Sequence, residues 1–214
     1  MRAIAIFGGR AGGLIVADSV RRLAEAGDQI AVAGFLNDEI AAGESIGPYP
    51  VLGSFEDWPA LDRGLRFVAA FPFPNRARER HARLRALGVP DERWEGVRDP
   101  DARVSSTARI EPGCYVGPNV VVEHGAHVGA HSMLRAGAYV SHDVRLGEFG
   151  FVGPNATLLG RVVCGDGVHI GANAVCREGV RVGYYATIGI GAVVLRDVEG
   201  GAVVGGNPAR VLSG

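Results

Sequence analysis

The chain contains no lysine, so its 22 basic residues are all arginine, and with 23 acidic residues the net charge is −1. A chain so balanced has no field to hold nucleic acid or an anionic membrane surface. No apolar run reaches the eighteen or so residues of a membrane span, and no secretory leader pattern opens the sequence. A cytoplasmic protein is expected. Only three cysteines occur, Cys114, Cys164 and Cys176, too few and too dispersed for a disulfide framework or a cysteine-rich metal centre. Nothing resembling a nucleophile elbow is present either.

What the chain has in abundance is a period of six. Counting from Val104, the first position of each hexad is Val104, Ile110, Val116, Val122, and so on without a slip to Ile188 and Val194. The fifth position is small or β-branched throughout, and the fourth is often Gly, Asn or Asp, as at Gly113, Asn119, Asp143, Asn155 and Gly191. In extended backbone, residues two apart face one way, so the fifth residue of one hexad and the first of the next point inward together. The residues between them must turn a corner, and Gly, Asn and Asp tolerate the left-handed backbone a tight corner requires. Three such corners close a triangular coil of eighteen residues that climbs roughly 4.8 Å per turn. The pattern predicts a left-handed parallel β-helix over residues 101–214. All three cysteines fall on inward positions and are expected to be buried small hydrophobes.

Residues 1–100 read differently, as an α/β Rossmann-like domain. Ala3–Phe7 is an apolar strand running into Gly8, Gly9, Gly12 and Gly13. Leu14–Ala26 has helical spacing and stops at Gly27, and Ile30–Leu36 is a second strand ending at Asn37 and Asp38. Glycines in such a turn let backbone amides approach a phosphate, though they also serve for tight packing alone. A third strand is expected at Leu65–Ala70. Beyond a Phe-Pro-Phe-Pro corner, Asn75 can cap a helix over 76–87 that carries five arginines, read as a solvated face or, secondarily, an anion site.

Six histidines are present. His124, His127 and His131 invite a metal reading, but their spacing is not that of a shared zinc set, and exposed corner histidines are the expectation. No metal is expected. His142 stands apart because Asp143 follows it on an outward corner, where an imidazole can accept a proton near neutral pH and the acid can orient it.

These motifs together resemble the hexapeptide-repeat acyltransferases, in their sugar branch of sialic acid O-acetyltransferases and UDP-4-amino-sugar N-acetyltransferases. The resemblance rests on Ile6-Phe7-Gly8-Gly9, Gly13-Leu14, Asn37-Asp38, Asn75-x-x-Arg78, Pro100-x-Ala102, the hexads, Ser141-His142-Asp143, Gly147-Glu148-Phe149, and Val204 through Arg210. It implies a homotrimer with acetyl-CoA between neighbouring coils and small-molecule substrates only. His142 matches the family base and Asp143 its acid. The Gly160 N–H matches a position that binds the thioester carbonyl, Ala172, Gly189 and Ile190 match positions along the pantetheine, and Arg210 lies toward the CoA phosphates. Gly8, Gly9, Gly12, Gly13, Asn37, Asp38, Phe73 and Asn75 would form the acceptor site for a nucleotide-linked sugar. The sequence departs from the family at Gly12 and Phe151, where histidines are usual, and at Phe73, where glycine is usual. Two other readings remain open: an acyltransferase with a smaller, non-nucleotide acceptor, and a non-catalytic β-helix trimer that binds a ligand.

Overall fold

The computed structural model describes residues 1–71 and 77–213. Phe73 and Asn75 lie outside the described residues. The N-terminal part contains β1 (Arg2–Gly8), α1 (Arg10–Glu25), β2 (Ile30–Leu36), β3 (Ser45–Ile46), β4 (Tyr49–Gly53), β5 (Arg66–Ala70) and α2 (Ala77–Ala86). They make one sheet in the order β3-β4-β2-β1-β5, parallel except for β3. The crossover through α1 is what joins two parallel neighbours, β1 and β2.

Helix α1 starts four residues before the expected Leu14, immediately after Gly9. Gly12 and Gly13 therefore belong to its first turn and not to a loop. The Gly13 N–H donates to the Gly9 carbonyl at 2.9 Å, and a methyl on its Cα would lie 2.3 Å from the Phe35 ring. This glycine exists for close helix–strand packing, which corrects its assignment to an open, ligand-facing turn. The helix buries Val16, Ala17 and Val20 on the sheet and ends where Gly27 takes φ +101°.

From Val97 onward the chain repeats two-residue strands. Arg103–Val104 pairs with Val121–Val122, which pairs with Tyr139–Val140 and on to Val193–Val194, a six-stranded parallel sheet here called the first face. A five-stranded sheet from Arg109–Ile110 to Arg181–Val182 forms the second face. The third is eight-stranded, beginning at Val97–Arg98 and closed at its far end by the antiparallel strand Arg210–Ser213. Each strand pairs with those one rung away, so every third strand belongs to the same face. The inward first and fifth positions form one continuous core from Ala102 to Val204, with all three cysteines in it. Every fourth position from Gly113 to Gly191 takes positive φ, as the corner argument requires.

Four of those corner residues are neither Gly, Asn nor Asp: His131, Phe149, Arg161 and Tyr185, with φ from 55 to 60°. Left-handed backbone costs such side chains on the order of 1–2 kcal/mol each. Three of the four, His131, Phe149 and Tyr185, stand in register on the corner between the second and third faces, and there the cost is offset. The His81 ring of α2 stacks on Phe149 at 4.3 Å, and Phe149 stacks on His131 at 4.9 Å. Arg85 lies over Phe149 and Arg78 over Tyr185, while Trp94 meets His131 edge-on. His131 is thus a docking residue, not an exposed corner histidine. The arginines of α2 are likewise engaged rather than merely solvated: Arg85 pairs with Glu148, and Arg83 with Asp38 and Glu56.

The third face completes the join. Tyr115 and Met133, which point outward from the coil, are buried in one cluster with Ile4, Val16, Val20 and Phe35, and Phe151 packs against it. Asp99 is buried there beside Ser19 (2.7 Å) and Arg22 (3.5 Å). The N-terminal part and the coil therefore share a core. No helix among the described residues is long and apolar enough to cross a membrane.

Burial pushes His81, His131 and His169 each down to about 4. The unfolded chain protonates these rings near pH 6.5, so between there and pH 4 it binds more protons than the folded chain. Stability is therefore full above pH 6.5 and falls as the pH falls toward 4. His81→Phe keeps the stacked ring without the titration. On going from pH 7.5 to pH 5, thermal melts should show the variant losing about 4–8 °C less than wild type. Equal losses would mean that His81 is not buried neutral at the seam.

Candidate active site

The corner between the first and second faces lies opposite the third face, away from the N-terminal part of the same chain. Its third hexad positions stack rung upon rung as His124, His142 and Gly160. His142 is one-third exposed at its side chain. Its Nδ1 lies 3.1 Å from Asp143 Oδ2, and the His124 ring stacks against it at 5.4 Å with an 11° tilt. Asp143 reaches the ring because its own backbone is left-handed, φ 57°. Gly125 on the rung below makes room, since a methyl there would lie 2.5 Å from Asp143 Oδ1. The hydrogen bond to His142, first, and the nearby imidazoles hold the Asp143 carboxyl below the usual carboxylate range. An ionised Asp143 accepts from Nδ1–H, which leaves Nε2 with its lone pair.

Nε2 faces Gly160. A methyl on the Gly160 Cα would lie 2.4 Å from Nε2 and 2.6 Å from Cε1. The corner is also pinned by backbone: Arg161 N–H donates to the His142 carbonyl at 3.0 Å and Asp143 N–H to the His124 carbonyl at 3.1 Å. A ring held on one nitrogen and open on the other can take a proton from an incoming nucleophile.

Ala172, Gly189 and Ile190 are not on this corner. Ala172 and Ile190 are third positions of the corner between the third and first faces, with Ile190 80% exposed. Arg210 is exposed on the terminal strand. Within one chain the first face separates these residues from His142 and Gly160. Above Arg103, that face presents Val121, Tyr139, Thr157, Val175 and Val193, with no charge, whereas the second presents Arg109, His127, Arg145, Val163 and Arg181. His127 on the second face is half-buried and bonded to Glu111 at 3.0 Å.

A separate cleft of about 610 Å³ opens at the sheet end of the N-terminal part, with Gly8, Gly9, Gly12, Asn37 and Asp38 in its lining. Gly8 is forced by close packing, as a methyl would lie 2.9 Å from the Ala70 carbonyl oxygen. The Asn37 side chain closes the loop: its amide donates to the Gly8 carbonyl and its oxygen accepts from Glu39 and Ile40 N–H. Asp38 is bound by Arg83 at 2.7 and 3.2 Å and by the Phe55 N–H at 3.0 Å. A ribose or base approaching Asp38 meets an acid already paired.

Other chemistries find no support among the described residues. No group of three His, Cys, Asp or Glu side chains is placed to hold a metal. The cysteines are free thiols; burial raises Cys114 and Cys176 to about 12 and also pushes the Cys164 thiol well up, far from the thiolate a nucleophile needs. Phe151, at the position of a family histidine, faces the shared core and stacks on His169 at 4.5 Å. The residues that sequence reasoning missed are Gly125 and Glu123, which lie one rung below Asp143 and Ser141; the eighteen-residue spacing that paired His124 with His142 would have found both.

The model of the bacterial transferase hexapeptide (six repeats) matches residues 107–142. No curated protein sequence matches the chain. Among solved structures, the acetyltransferase domain of PglB from Neisseria gonorrhoeae, in complex with acetyl coenzyme A, is 30% identical with a TM-score of 0.85, covering 99% of both chains. A His-to-Asn variant of perosamine N-acetyltransferase from Caulobacter crescentus, in complex with CoA and GDP-perosamine, is 27% identical with a TM-score of 0.85, covering 100% of this chain and 98% of that one. WeeI from Acinetobacter baumannii shares the fold at 24% identity and a TM-score of 0.81, covering 99% of this chain and 100% of that one. With the repeats, the His-Asp corner and a likeness over nearly the whole chain in agreement, the chain belongs to the hexapeptide-repeat acetyltransferase family.

Proposed function

We propose that the protein transfers an acetyl group directly from acetyl-CoA to an amino or hydroxyl group of a nucleotide-linked sugar, with His142 as general base. The observation that carries this reading is the Asp143-bound Nδ1, which leaves Nε2 free over the bare Cα of Gly160. The acceptor nitrogen or oxygen attacks the thioester carbonyl and passes its proton to Nε2. The C–S bond then breaks, and the CoA thiolate takes that proton back. A thioester is already activated, so the corner need supply only proximity, a proton acceptor and a donor for the carbonyl oxygen. The Gly160 N–H is assigned that donor role. The relatives with acetyl coenzyme A, and with CoA and GDP-perosamine, support donor and acceptor class alike.

In this reading the coil is a left-handed β-helix, the molecule a homotrimer in the cytoplasm, and the division of labour falls near residue 100. Residues 1–100 hold the acceptor nucleotide in the cleft at Gly8, Gly9, Gly12, Asn37 and Asp38, with Phe73 and Asn75 assigned there from sequence alone. Residues 101–214 hold CoA. If one CoA touches both Gly160 and the group of Ala172, Gly189 and Ile190, with Arg210 toward its phosphates, two chains must contribute, because these lie at opposite edges of the first face. The uncharged residues of that face suit it for burial against a second copy.

The test is thiol release from acetyl-CoA in the presence of UDP- and GDP-linked amino sugars. Turnover with at least one is expected, and His142→Ala should lower it by about 10²–10⁴ while leaving CoA binding intact. Turnover with small amines but no nucleotide sugar would transfer the assignment to a smaller acceptor; no turnover with any acceptor would favour a binding trimer. Gly160→Ala should push the ring off its seat and cost about 10²-fold in kcat at unchanged melting temperature. Wild-type turnover in Gly160→Ala would show that Nε2 does not work at this glycine.

A further inference from the structure

Glu123 stands one rung below Ser141 on the His142 corner, and its carboxylate collects three hydrogen bonds from one short segment above it. The Tyr139 hydroxyl donates to Oε1 at 2.6 Å, the Ser141 hydroxyl to Oε2 at 2.8 Å, and the His142 backbone N–H to Oε2 at 3.0 Å. Tyr139 and Ser141 bracket the inward Val140, so the carboxylate grips the segment on both sides of the residue that anchors it in the core. The hydrogen bond from Tyr139, first, then that from Ser141, keeps the Glu123 carboxyl below the ordinary range, so it accepts all three as an anion. Carboxylate acceptors of this kind make the stronger class of hydrogen bond.

The division of labour around His142 is then specific. Asp143 holds the ring through Nδ1; Glu123 makes no hydrogen bond to the ring and holds the main chain instead. The corner is tied to its neighbouring rungs through the Asp143 N–H and the His142 carbonyl, but the His142 N–H has no partner in the strand ladder, and without an acceptor for it the His142 peptide can still rock between those ties. A rocking corner would sweep Nε2 across Gly160, the place where the acceptor and the thioester have to meet.

We propose that Glu123, with Tyr139 and Ser141, is a positioning residue that locks the corner carrying His142 and so fixes the direction of Nε2. The proposal rests on His142 being the base. With its oxygens occupied by three donors, Glu123 is not placed to take the acceptor's proton itself.

The experiment compares Glu123→Ala, Glu123→Gln and His142→Ala in the full chain, reading thiol release from acetyl-CoA with the best acceptor of the amino-sugar nucleotide panel, water included. Glu123→Ala should lower kcat about 10–100-fold with KM for acetyl-CoA within about twofold, the signature of misplaced rather than missing chemistry. Glu123→Gln, whose amide oxygen still accepts from Ser141 and His142, should return to within about threefold of wild type. A Gln variant as impaired as the Ala variant would show that the charge, not the grip, matters, and overturns the positioning role. Wild-type kcat in Glu123→Ala with an inactive His142→Ala overturns the inference and leaves the base in place. Full activity in His142→Ala removes the base and the inference with it. Should Glu123→Ala fail to fold, Ser141→Ala deletes one of the three donors and must still lower kcat at constant KM; wild-type kcat there overturns the proposal equally.

Discussion

The Ser141 N–H donates to the Leu158 carbonyl on the next rung, Arg145 to Val162 and Gly147 to Cys164, and the same pairing runs the length of the coil. These parallel bonds form only if the chain returns to the same place every eighteen residues. Each return depends on an inward aliphatic at the first position and a left-handed residue at the fourth. Burying each aliphatic contributes roughly 1.5–3 kcal/mol before entropy. Because the register cannot slip without turning that core outward, side chains at equivalent corner positions stack into columns. His124, His142 and Gly160 form one such column, and His131, Phe149 and Tyr185 another.

The corners have been put to different uses. On the corner between the second and third faces, the left-handed backbone of three aromatic or imidazole residues is tolerated because α2 lays His81, Arg78 and Arg85 against them. On the corner between the first and second faces, a glycine stands wherever the His142–Asp143 pair needs space: Gly125 under the Asp143 carboxylate and Gly160 beside the ring. The third corner carries Ala172 and Ile190 and is left open. One corner docks the N-terminal part, the next carries the His142–Asp143 pair to which proton transfer is assigned, and the last is free to meet a neighbour.

The sequence made the coil legible because sixteen consecutive hexads leave only one register in which every first position is apolar. His142 and Asp143 were legible for the same reason, since the register put them on an outward corner. The start of α1 was not, because Gly12 and Gly13 have low helical propensity, and for Gly13 only the Phe35 ring, which leaves no room for a Cβ, explains its presence. His131 was misread as exposed, because nothing local announces that α2 will cover its corner. The pairing of Asp38 with Arg83 was equally hidden, arising from residues far apart in sequence that only the sheet order brings together. Glu123 could have been found by carrying the eighteen-residue step from the histidines to their neighbours. Phe73, where the sequence departs from the family pattern, lies outside the described residues, and its place at the acceptor site is read from sequence alone.

The central claim is that the base on one corner works on a donor held by the opposite corner of another chain. Mixed oligomers test it directly. His142→Ala and Ile190→Glu would each be inactive alone, the first lacking the base and the second blocking the pantetheine edge. Unfolding and reassembling the two at equal ratio should restore about a quarter of wild-type thiol release, the fraction of interfaces that pair an intact His142 with an intact Ile190 from the neighbour. No recovery, in a mixture shown by mass to contain hybrid oligomers, would mean that each chain carries a complete site by itself and would contradict the account.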